Sequence, residues 1–521
     1  MKTLASYLSG RWYAADRDFQ ILLNPSTEEP LARASSAGAD FAGALEHARR
    51  VGGPALRALS FGQRGEMIKA LARKLREHRD ELLELSKTNN GATASDGSFD
   101  VDGGGGALAV YGNLGGALGD RRFLLDGGGD ALGKSEAFWS QHVLVPKQGV
   151  AVHVNAFNFP AWGLCEKLGC ALLAGMPVIA KPATATALVA HRLAEIALES
   201  GLLPEGALQL VVGSTGNLLD RLGAQDVLAF TGSAATALQL RGKRNLLGAS
   251  VKVNVEADSL NAAVLAPDAD APSPLLELFV KDVCREITQK AGQKCTAARR
   301  LLVPSAIEEE AAAAISARLA KTVTGNPAFE SVRMGPLATA DQLRDTLDGI
   351  AELLATTDLV HGTGRRINGI GAPEGLGYFV GPTLLRSAAP LERSPVHHRE
   401  VFGPVATLLP YDGSAAQAAA IVALAEGTLV TSAYSNDAGW LRDFLAAGGS
   451  STGRLYVGSD GSEGMGSGAC FPQSLHGGPG RAGGGEELGG LRGLAPYLQR
   501  VALQGHREIV DRVAGAPEER A

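Results

Sequence analysis

The sequence predicts an α/β protein whose central feature is a parallel sheet covered by helices on both faces. Between residues 149 and 258, five short apolar runs alternate with helical stretches, and they read GVAVHVNAF, MPVIAKP, LQLVVG, DVLAFTG and VKVNVEAD. Runs that are apolar along their whole length, without alternation, are typical of strands buried on both faces. The helices between them indicate parallel crossovers and therefore a doubly wound domain, a fold that commonly binds dinucleotides.

A second α/β block spans residues 261–455 and contains the strand-like runs ARRLLVP, GPTLLR and FGPVATLLPYD. Beyond it, YLQRVALQG has the composition of a strand but no strand-like neighbour in the sequence. Because an unpaired strand edge can pair with another chain, this tail favours a strand shared between subunits.

An amphipathic helix is predicted over residues 64–89, ending at the stop signal TNNGAT. Apolar residues recur on one of its faces at the helical period, with charged residues around them: Met67, Leu71, Leu75 and Leu82. The run that follows, DVDGGGGALAVYGNLGGALGD, is rich in glycine but interleaved with apolar residues. We therefore expect close helix packing and tight turns there, not a flexible linker.

Length and composition exclude several classes of protein. The 521 residues are 45% hydrophobic and 20% charged, with a formal net charge of −6, which indicates an ordinary multidomain protein without a nucleic-acid partner. The N-terminus lacks the apolar core of a signal peptide, and no segment reaches the length of a membrane span. Five irregularly spaced cysteines argue against a disulfide framework, so we expect a cytoplasmic protein.

One cysteine has a context that suits a nucleophile. Cys295 lies in KAGQKCTAARR, where lysines and arginines would favour the thiolate if any of them, or a helix N-terminus, faced the sulfur. Without such a contact, a cysteine is more often an inert buried residue. The other four, Cys165, Cys170, Cys284 and Cys470, have no evident activating partner, and we expect them to be structural. With no C-x-x-C pair or Cys/His cluster in the sequence, we expect no metal site.

A thiolate that attacks a carbonyl group needs a base and an oxyanion stabiliser, and two strand ends offer them. Asn158, in VNAFNFPAW, follows the first strand and carries an amide donor. Glu256, in VKVNVEAD, closes the last strand of the block, where apolar surroundings would raise its pKa towards that of a useful base. Each residue also has a simpler interpretation, as a turn former or a solvated charge.

Six motifs in the order AFNFP, KP after AGMPVIA, FTGS, VNVE, GQKC and EVFGPV resemble the aldehyde dehydrogenase superfamily. The similarity runs from NPSTEEP near the start almost to the last residue, and six ordered motifs are far more specific than a lone glycine pattern. The resemblance implies the aldehyde dehydrogenase fold, with a Rossmann-like cofactor domain, an α/β catalytic domain and a small β oligomerisation flap.

The implied domain boundaries follow from these motifs. We expect the cofactor domain at residues 1–137 and 151–260 and the catalytic domain at 261–480. The flap would combine residues 138–150 with 495–521. A flap strand that joins a neighbour's sheet implies a homodimer or a homotetramer.

The resemblance also assigns roles in the reaction. Cys295 matches the nucleophile, which attacks an aldehyde to give a thiohemiacetal and then, after oxidation, a thioester. Asn158 and the backbone N–H of Cys295 match the oxyanion stabilisers. Glu256 matches the base that activates water to hydrolyse the thioester, and Lys167 matches a family lysine near the active site. For Lys167, a helix-surface charge is nearly as good an interpretation.

Four further positions match cofactor-binding residues. Glu400 and Phe402, in REVFGPV, match residues that bind the nicotinamide ribose and pack beside the nicotinamide. Ser233, in FTGS, matches the helix start that faces the pyrophosphate. NAD-preferring relatives have a glutamate three residues after the matched Lys181, but this chain has Thr184 there. A carboxylate repels a 2′-phosphate and a hydroxyl can donate to it, so NADP is the expected cofactor, with NAD possible.

Departures from the family pattern point to a branch. EADS replaces the usual ELGG, and NNGAT, DVDGG, VEADSLN and HGGPGRAGGGEELGGLRG resemble enzymes that oxidise CoA-linked semialdehydes in the degradation of aromatic acids such as benzoate. The glycine-rich C-terminal run could admit a long substrate arm, with Arg481 meeting a phosphate, although a tight structural loop is favoured for most of its glycines.

Three other interpretations remain open. The chain could be a general NAD(P) aldehyde dehydrogenase that acts on free aliphatic or aromatic aldehydes. A CoA-acylating enzyme, in which free CoA takes the acyl group, is disfavoured because that branch generally lacks the base matched by Glu256. A non-catalytic dinucleotide-binding protein is disfavoured because it would have no need of Cys295, Asn158, Glu256 and Glu400 together.

Overall fold

Two seven-stranded sheets organise the chain, which a computed structural model describes over residues 1–462, 466 and 468–515. The strands are β1 (Lys2–Leu4), β2 (Ser6–Leu8), β3 (Arg11–Tyr13), β4 (Gln20–Leu23), β5 (Pro30–Ala34), β6 (Leu124–Leu125), β7 (Asp130–Ala131), β8 (Trp139–Pro146), β9 (Ala151–Val154), β10 (Val178–Lys181), β11 (Leu208–Leu210), β12 (Val227–Thr231), β13 (Lys252–Glu256), β14 (Ala262–Leu265), β15 (Arg300–Pro304), β16 (Asp358–His361), β17 (Thr383–Arg386), β18 (Val405–Tyr411), β19 (Thr428–Tyr434), β20 (Thr452–Gly458), β21 (Leu475–Gly477), β22 (Glu486–Leu488) and β23 (Leu498–Gly505). The α-helices are α1 (Phe41–His47), α2 (Gly53–Ala58), α3 (Phe61–Glu77), α4 (Arg79–Asn90), α5 (Ala94–Leu118), α6 (Trp162–Ala174), α7 (Ala187–Glu199), α8 (Ala234–Arg241), α9 (Arg244–Gly248), α10 (Pro274–Thr288), α11 (Glu308–Leu319), α12 (Ala340–Leu354), α13 (Ala415–Ala423), α14 (Ala438–Gly448) and α15 (Arg507–Ala514).

The first sheet confirms the predicted parallel arrangement. Its order is β13-β12-β9-β10-β11-β2-β3, and the five predicted strands are its parallel members β9 to β13. The N-terminal strands β2 and β3 extend it in antiparallel pairing. Thr231 pairs with Glu256 and Phe230 with Val154, so the carboxyl ends of three neighbouring strands lie level with one another.

The second sheet has the order β16-β17-β18-β15-β14-β19-β20 and is parallel apart from its edge strand β16. The three runs predicted in this block are β15, β17 and β18. All these strands have buried apolar side chains on both faces, as parallel sheets require. Within the described residues, no helix combines the length and the apolar character that crossing a bilayer requires.

The helix predicted over residues 64–89 is in fact two helices, α3 and α4, which break at His78. His78 has φ −105° and ψ 16°, outside the helical region, and the acidic pair Asp80 and Glu81 then occupies the first turn of α4. Carboxylates are favourable at a helix N-terminus, which suits a new start at this point. The predicted stop is correct, since α4 ends at Asn90 and Gly91 takes the left-handed conformation.

Residues 100–118 of the glycine-rich run lie in a single helix, α5, so the tight turns expected within this part are absent. The run does end in a turn at Gly119 and Asp120, where Gly119 has φ 64°. The expected close packing is correct. A Cβ atom added at Gly115 would lie 2.6 Å from Gly65 Cα and 2.8 Å from Phe61 O, so α5 approaches α3 more closely than any side chain would permit. Glycine is therefore required on this face of α5 for a steric reason.

The C-terminal strand β23 pairs along its whole length with β8 of the same chain, antiparallel, with β6 and β7 also against β8. These are the two segments that the flap was expected to combine, although its last residues, 516–521, lie outside the described part of the chain. β23 is an edge strand in this sheet. Pairing of its free edge with another subunit stays a prediction.

Two glycines of α5 offer a matched test of this packing. Gly115→Ala should lower the free energy of unfolding by about 1–3 kcal/mol, because the new methyl group collides with backbone atoms of α3. Gly106→Ala should raise it by about 0.5–1 kcal/mol, because an added Cβ meets nothing within 4 Å and alanine favours the helix. Denaturant midpoints followed by circular dichroism would compare the two variants, and shifts of the same sign would contradict the packing described here.

Candidate active site

The four predicted catalytic residues lie around one cavity at the carboxyl ends of β9, β12 and β13. Asn158, Lys167, Glu256 and Cys295 all line it. Its other walls are mainly apolar and aromatic, with Phe99, Phe159 and Trp162 among them. We call it the substrate cavity.

A tight backbone turn presents Cys295. Lys290, Ala291 and Gly292 all have positive φ, at 53°, 52° and 70°. A Cβ at Gly292 would lie 2.1 Å from Gly403 O, so this position requires glycine. Asn261 then fixes the far side of the turn, because its Nδ2 donates to Cys295 O at 2.7 Å and to the next carbonyl but one, Ala297 O, at 3.0 Å.

The neighbouring cations do not activate the sulfur as the sequence suggested. Lys294 binds Glu286 at 2.9 Å, and Arg299 donates to backbone carbonyls of Gly403 and Gly292. Arg300 likewise donates to backbone carbonyls at 2.8–3.0 Å. These three cations are thus engaged with other groups, Arg299 in holding the turn, and they do not bind the thiol.

A histidine that the sequence analysis missed lies beside the thiol. His476 Nε2 is 4.0 Å from Cys295 Sγ and 3.1 Å from Glu256 Oε1. The imidazole is 3% exposed. A histidine at the start of a glycine-rich run carries no local sequence signal, and only the fold brings it to residues 181 and 220 positions earlier.

His476 changes the acidity of its neighbours. Burial alone would raise the pKa of Glu256, but the imidazole and then Lys167 outweigh burial and lower this pKa to about 2. The expected rise in the pKa of Glu256 is therefore wrong, because a buried cationic partner stabilises the carboxylate. The pKa of the Cys295 thiol is raised by burial and by the Glu256 charge, with His476 acting in the opposite direction.

Cys470 belongs to this site and is not the purely structural cysteine that we expected. Its Sγ lies 3.4 Å from His476 Nδ1, and it lines the substrate cavity. Burial raises the pKa of Cys470, but His476 and Arg454 more than compensate, so that the net shift is downward. Cys165, Cys170 and Cys284 are buried, in keeping with structural roles.

Asn158 lies where an oxyanion stabiliser could act. It is 7% exposed, and its Nδ2 donates to Gln293 O at 3.0 Å. That hydrogen bond orients the amide towards the turn that carries Cys295. Because an amide nitrogen has two N–H donors, one remains for an oxygen atom in the cavity.

Lys167 is a buried cation and not a helix-surface charge. It is 3% exposed, and its Nζ lies 3.2 Å from Glu166 Oε1 and 3.0 Å from Glu487 Oε2. These carboxylates overcome the effect of burial and raise the pKa of Lys167 well above its usual value. Burial raises the pKa of Glu166 to about 7.

One short β-hairpin, β21–β22, places both His476 and Glu487 beside the substrate cavity. They are opposite one another in the antiparallel pair β21–β22, His476 towards Glu256 and Glu487 towards Lys167. The hairpin lies against β13 because the loop glycines permit it: a Cβ at Gly485 would come within 2.4 Å of Val255 O. The glycine-rich run is thus a tight structural loop at this point, the role that the sequence favoured.

A second cavity, of about 480 Å³, adjoins the first and shares Asn158, Glu256 and Cys295 with it. Ser233, Glu400 and Phe402, three of the predicted cofactor residues, line this cavity. We call it the cofactor cavity. Ser233 caps α8, and its side chain accepts from Thr236 N.

Glu400 and Phe402 both lie near Arg299, beside the turn that carries Cys295. The Glu400 side chain is 8% exposed and lies 3.9 Å from Arg299 Nη2. Burial raises the pKa of Glu400 to about 8, against the opposing effect of Arg299. Among the residues that the structure describes, Glu400 Oε1 has no hydrogen-bond partner, so it can bind a donor from a ligand.

The structure does not bring Lys181 and Thr184 into the walls of this cavity, although Ala183 between them lines it. Lys181 ends β10, and burial lowers the pKa of its amine. Thr184 is 8% exposed and donates its hydroxyl proton to Gly213 O at 3.2 Å. The hydroxyl can still accept a hydrogen bond, but donation to a 2′-phosphate would require it to leave this carbonyl.

The departures from the family pattern have structural roles here. Asp258 Oδ1 accepts from Ala234 N at the start of α8 at 2.8 Å, and its other oxygen lies 3.6 Å from Arg481 Nη2. Ser259 is fully buried, donates to Asn261 Oδ1 at 2.6 Å and accepts from Leu429 N at 2.9 Å. Both residues therefore fix the elements that surround the site.

The absence of a metal site stays a prediction. The sequence contains no metal-binding spacing, but the fold brings ligand atoms of Glu256, Cys295 and His476 within 4.8 Å of one another. A carboxylate, a thiolate and an imidazole are all zinc ligands. Sequence spacing alone could not detect this cluster.

Comparisons with known proteins show the family to which the chain belongs. The model of the aldehyde dehydrogenase family matches residues 12–500. The chain is 44% identical, over 91% of its length and 93% of the relative, to 3,4-dehydroadipyl-CoA semialdehyde dehydrogenase of Aromatoleum evansii.

Solved structures share the fold. The structure of 3,6-anhydro-L-galactose dehydrogenase in complex with NAP has a TM-score of 0.83 at 22% identity, covering 97% of this chain and 100% of that one. An NAD-dependent aldehyde dehydrogenase from Sinorhizobium meliloti has a TM-score of 0.84 at 20% identity, covering 97% and 95%. The family match over almost the whole length, together with the cysteine, glutamate and asparagine around one cavity, means that the chain belongs to the aldehyde dehydrogenase family, enzymes that oxidise aldehydes with a nicotinamide dinucleotide.

Proposed function

We propose that this enzyme oxidises a semialdehyde linked to coenzyme A, of the 3,4-dehydroadipyl-CoA semialdehyde type, to the acid, with NADP as its preferred oxidant and NAD as a possible alternative. The observation that carries the chemistry is the junction of the two cavities, where Cys295, Glu256 and Asn158 face both. The choice of substrate is supported by the relative that is 44% identical and whose name states a CoA-linked semialdehyde.

Cys295 performs the first step. Its sulfur attacks the aldehyde carbon, and the carbonyl oxygen becomes an oxyanion that Asn158 Nδ2 and the Cys295 backbone N–H stabilise. The thiol proton must leave as the bond forms. Glu256, an ionised carboxylate with an oxygen within 4.8 Å of the sulfur, is the group placed to take that proton. His476, a cation 4.0 Å from the sulfur that is hydrogen-bonded to the same carboxylate, would stabilise the thiolate.

A nicotinamide dinucleotide held in the cofactor cavity would supply the hydride acceptor, and oxidation of the thiohemiacetal would leave a thioester on Cys295. Glu256 then acts as a general base on a water molecule that attacks the thioester carbon. Its lowered pKa keeps the carboxylate ionised at neutral pH, ready to accept a proton. His476 acts as a positioning residue here, because its hydrogen bond to Oε1 fixes the carboxylate beside the sulfur.

The residues of the cofactor cavity suit a dinucleotide. Glu400 Oε1 is buried without a partner in the described chain and would accept from a ribose hydroxyl. The Phe402 ring would pack beside the nicotinamide, and it is held by the Phe157 ring 5.8 Å away. Ser233 and the start of α8 would face the pyrophosphate, where a helix N-terminus favours an anion. Lys181 would add positive charge near Thr184.

We also propose that the enzyme is a cytoplasmic homodimer or homotetramer. The free edge of β23 is suited to pairing with another subunit, which would continue the sheet. All five cysteines are free, in keeping with a reducing compartment. The expected domain boundaries and the flap range belong to the same proposal.

Replacing the nucleophile and the base should separate the two halves of the reaction. Cys295→Ala should abolish oxidation while the dinucleotide still binds. Glu256→Gln should lower steady-state turnover about 100- to 10,000-fold but leave a slowed burst of reduced cofactor, because water can still take the thiol proton during acylation while hydrolysis of the thioester has lost its base. Stopped-flow absorbance of reduced cofactor would measure both, and turnover by Cys295→Ala would contradict the mechanism.

The effect of His476 on Glu256 should be measurable in the dependence of kcat on pH. His476→Phe removes the cation that holds down the pKa of Glu256, so burial then raises this pKa and the base is protonated as pH falls through its new value. The acid limb of the kcat profile should move up by at least about one pH unit. His476→Gln, whose amide can donate to the carboxylate without charge, should recover part of the shift. An unchanged profile with uniformly lower kcat would indicate a purely structural role.

Cofactor preference should depend on position 184. Thr184→Glu should lower kcat/KM for NADP about 10-fold or more relative to NAD, because a carboxylate repels the 2′-phosphate. Thr184→Ser, which keeps the hydroxyl, is the matched control. Retained turnover with NAD would show that the buried substitution leaves the fold intact. If the ratio of kcat/KM for NADP to kcat/KM for NAD were unchanged, Thr184 would not determine the cofactor preference.

A further inference from the structure

A third cavity, of about 1020 Å³, lies beside the substrate cavity and is lined by basic side chains. The start of α5, the exposed face of α10, the end of α11 and residues 327–333 form its walls. No role in the reaction described above is assigned to it. We call it the basic cavity.

The basic cavity concentrates positive charge in a chain whose net charge is −6. Its charged lining residues are the cations Lys281, Arg285, Arg318, Lys321 and Arg333 and the acids Asp96 and Glu330. In the part of the chain that the structure describes, Lys281, Arg318 and Lys321 make no ion pair with an acidic side chain. Burial raises the pKa of Asp96, which weakens the negative charge there.

An aromatic ring accompanies these cations. Phe329 lines the basic cavity and is 49% exposed, an unusual position for a large apolar side chain. Its ring packs closely over Gly371, where an added Cβ would lie 2.2 Å from ring carbons. A supported ring among cations is suited to a ligand that has both an aromatic base and phosphates.

The basic and substrate cavities share helix α5. Thr93, just before the first turn of α5, and Asp96, within that turn, line the basic cavity. Phe99, about one turn further along the helix, lines the substrate cavity. A ligand that spans the two cavities would therefore have to extend only along one face of this helix.

Two more segments connect the cavities. Gln289 lines the basic cavity and accepts at 2.9 Å from Lys294, the residue before Cys295. Gly466 lies against Arg285, where an added Cβ would be 2.1 Å from Nη2. Two residues on, Gly468 lines the substrate cavity and accepts from Thr296 Oγ1 at 3.1 Å.

We propose that the basic cavity binds the adenosine 3′,5′-diphosphate end of a coenzyme A thioester, while the acyl chain of the same molecule reaches Cys295. This inference rests on the proposed substrate class. The guanidinium of Arg318 and the amine of Lys321 bind phosphate oxygens, since arginine and lysine are the usual phosphate-binding side chains. Phe329 stacks on the adenine. The chain thus recognises the carrier at one site and oxidises its cargo at another.

The test compares CoA-linked and free semialdehydes of the same acyl chain. Arg318→Glu/Lys321→Glu should raise KM for the CoA thioester about 10-fold or more, with kcat nearly unchanged, because charge-assisted contacts to phosphate are lost and repulsion replaces them. KM values for the free aldehyde and for NADP should remain those of the wild type. Arg73→Glu/Arg76→Glu, on the exposed face of α3, is the control with the same charge change.

A second measurement uses adenosine 3′,5′-diphosphate itself. It should inhibit competitively against the CoA thioester but not against the free aldehyde, and calorimetry should detect its binding to the wild type but not to the double variant. Inorganic phosphate at equal concentration should compete much less, because it lacks the base that Phe329 stacks on. Phe329→Ala should weaken binding of the nucleotide about 5-fold or more.

Several outcomes would overturn the inference. Equal KM values for the CoA thioester in wild type and double variant would do so, as would a rise in KM for NADP alone, which would assign the charges to the dinucleotide. If the wild type failed to oxidise the CoA thioester, the proposed substrate would be wrong, and calorimetry with adenosine 3′,5′-diphosphate would still decide whether the basic cavity binds this nucleotide.

Discussion

The level carboxyl ends of β9, β12 and β13 are the constraint on which the active site depends. Parallel pairing sets Thr231 opposite Glu256 and Phe230 opposite Val154, so the chain leaves the three strands at one edge of the sheet. Gly232 N continues the ladder by donating to Glu256 O at 3.1 Å. Asn158, beyond β9, and Glu256, at the end of β13, thereby reach the same cavity although they are far apart in sequence.

At the opposite wall, the turn that carries Cys295 packs against the segment that contains Phe402 and Gly403. Gly292 lies against the backbone of Gly403, and Arg299 donates to both Gly292 O and Gly403 O at 2.8 and 2.9 Å. The same arginine lies 5.4 Å from the centre of the Phe402 ring. Cys295, the proposed nucleophile, and the Phe402 ring, which we propose to lie beside the nicotinamide, therefore share their supports, and a shift in one would be transmitted to the other.

Much of this could be predicted from the sequence, because the signals were local. Apolar runs without alternation predicted the parallel strands, and the ordered motifs around Asn158, Glu256, Cys295 and Glu400 indicated the family. The break between α3 and α4 at His78 was not predicted, because the spacing of apolar residues continues through it. The state of Glu256 could not be predicted, because its pKa depends on His476, a residue that only tertiary structure brings near. The basic cavity could not be predicted either, because its cations come from segments that are separate in the sequence.

The hairpin β21–β22 has a consequence for how the enzyme is made. Cys295 leaves the ribosome 181 residues before His476, and Glu487 follows later still. During synthesis the first sheet can form with its asparagine and glutamate in place, and the turn that carries Cys295 can form once Gly403 has been made, but the imidazole that completes their hydrogen-bond network has not yet been translated. A nascent chain that has not reached the hairpin therefore has Cys295 without its neighbouring histidine, and the complete network arises only once residues 475–488 have been translated. The order of the residues along the chain therefore delays activity until this hairpin has been made.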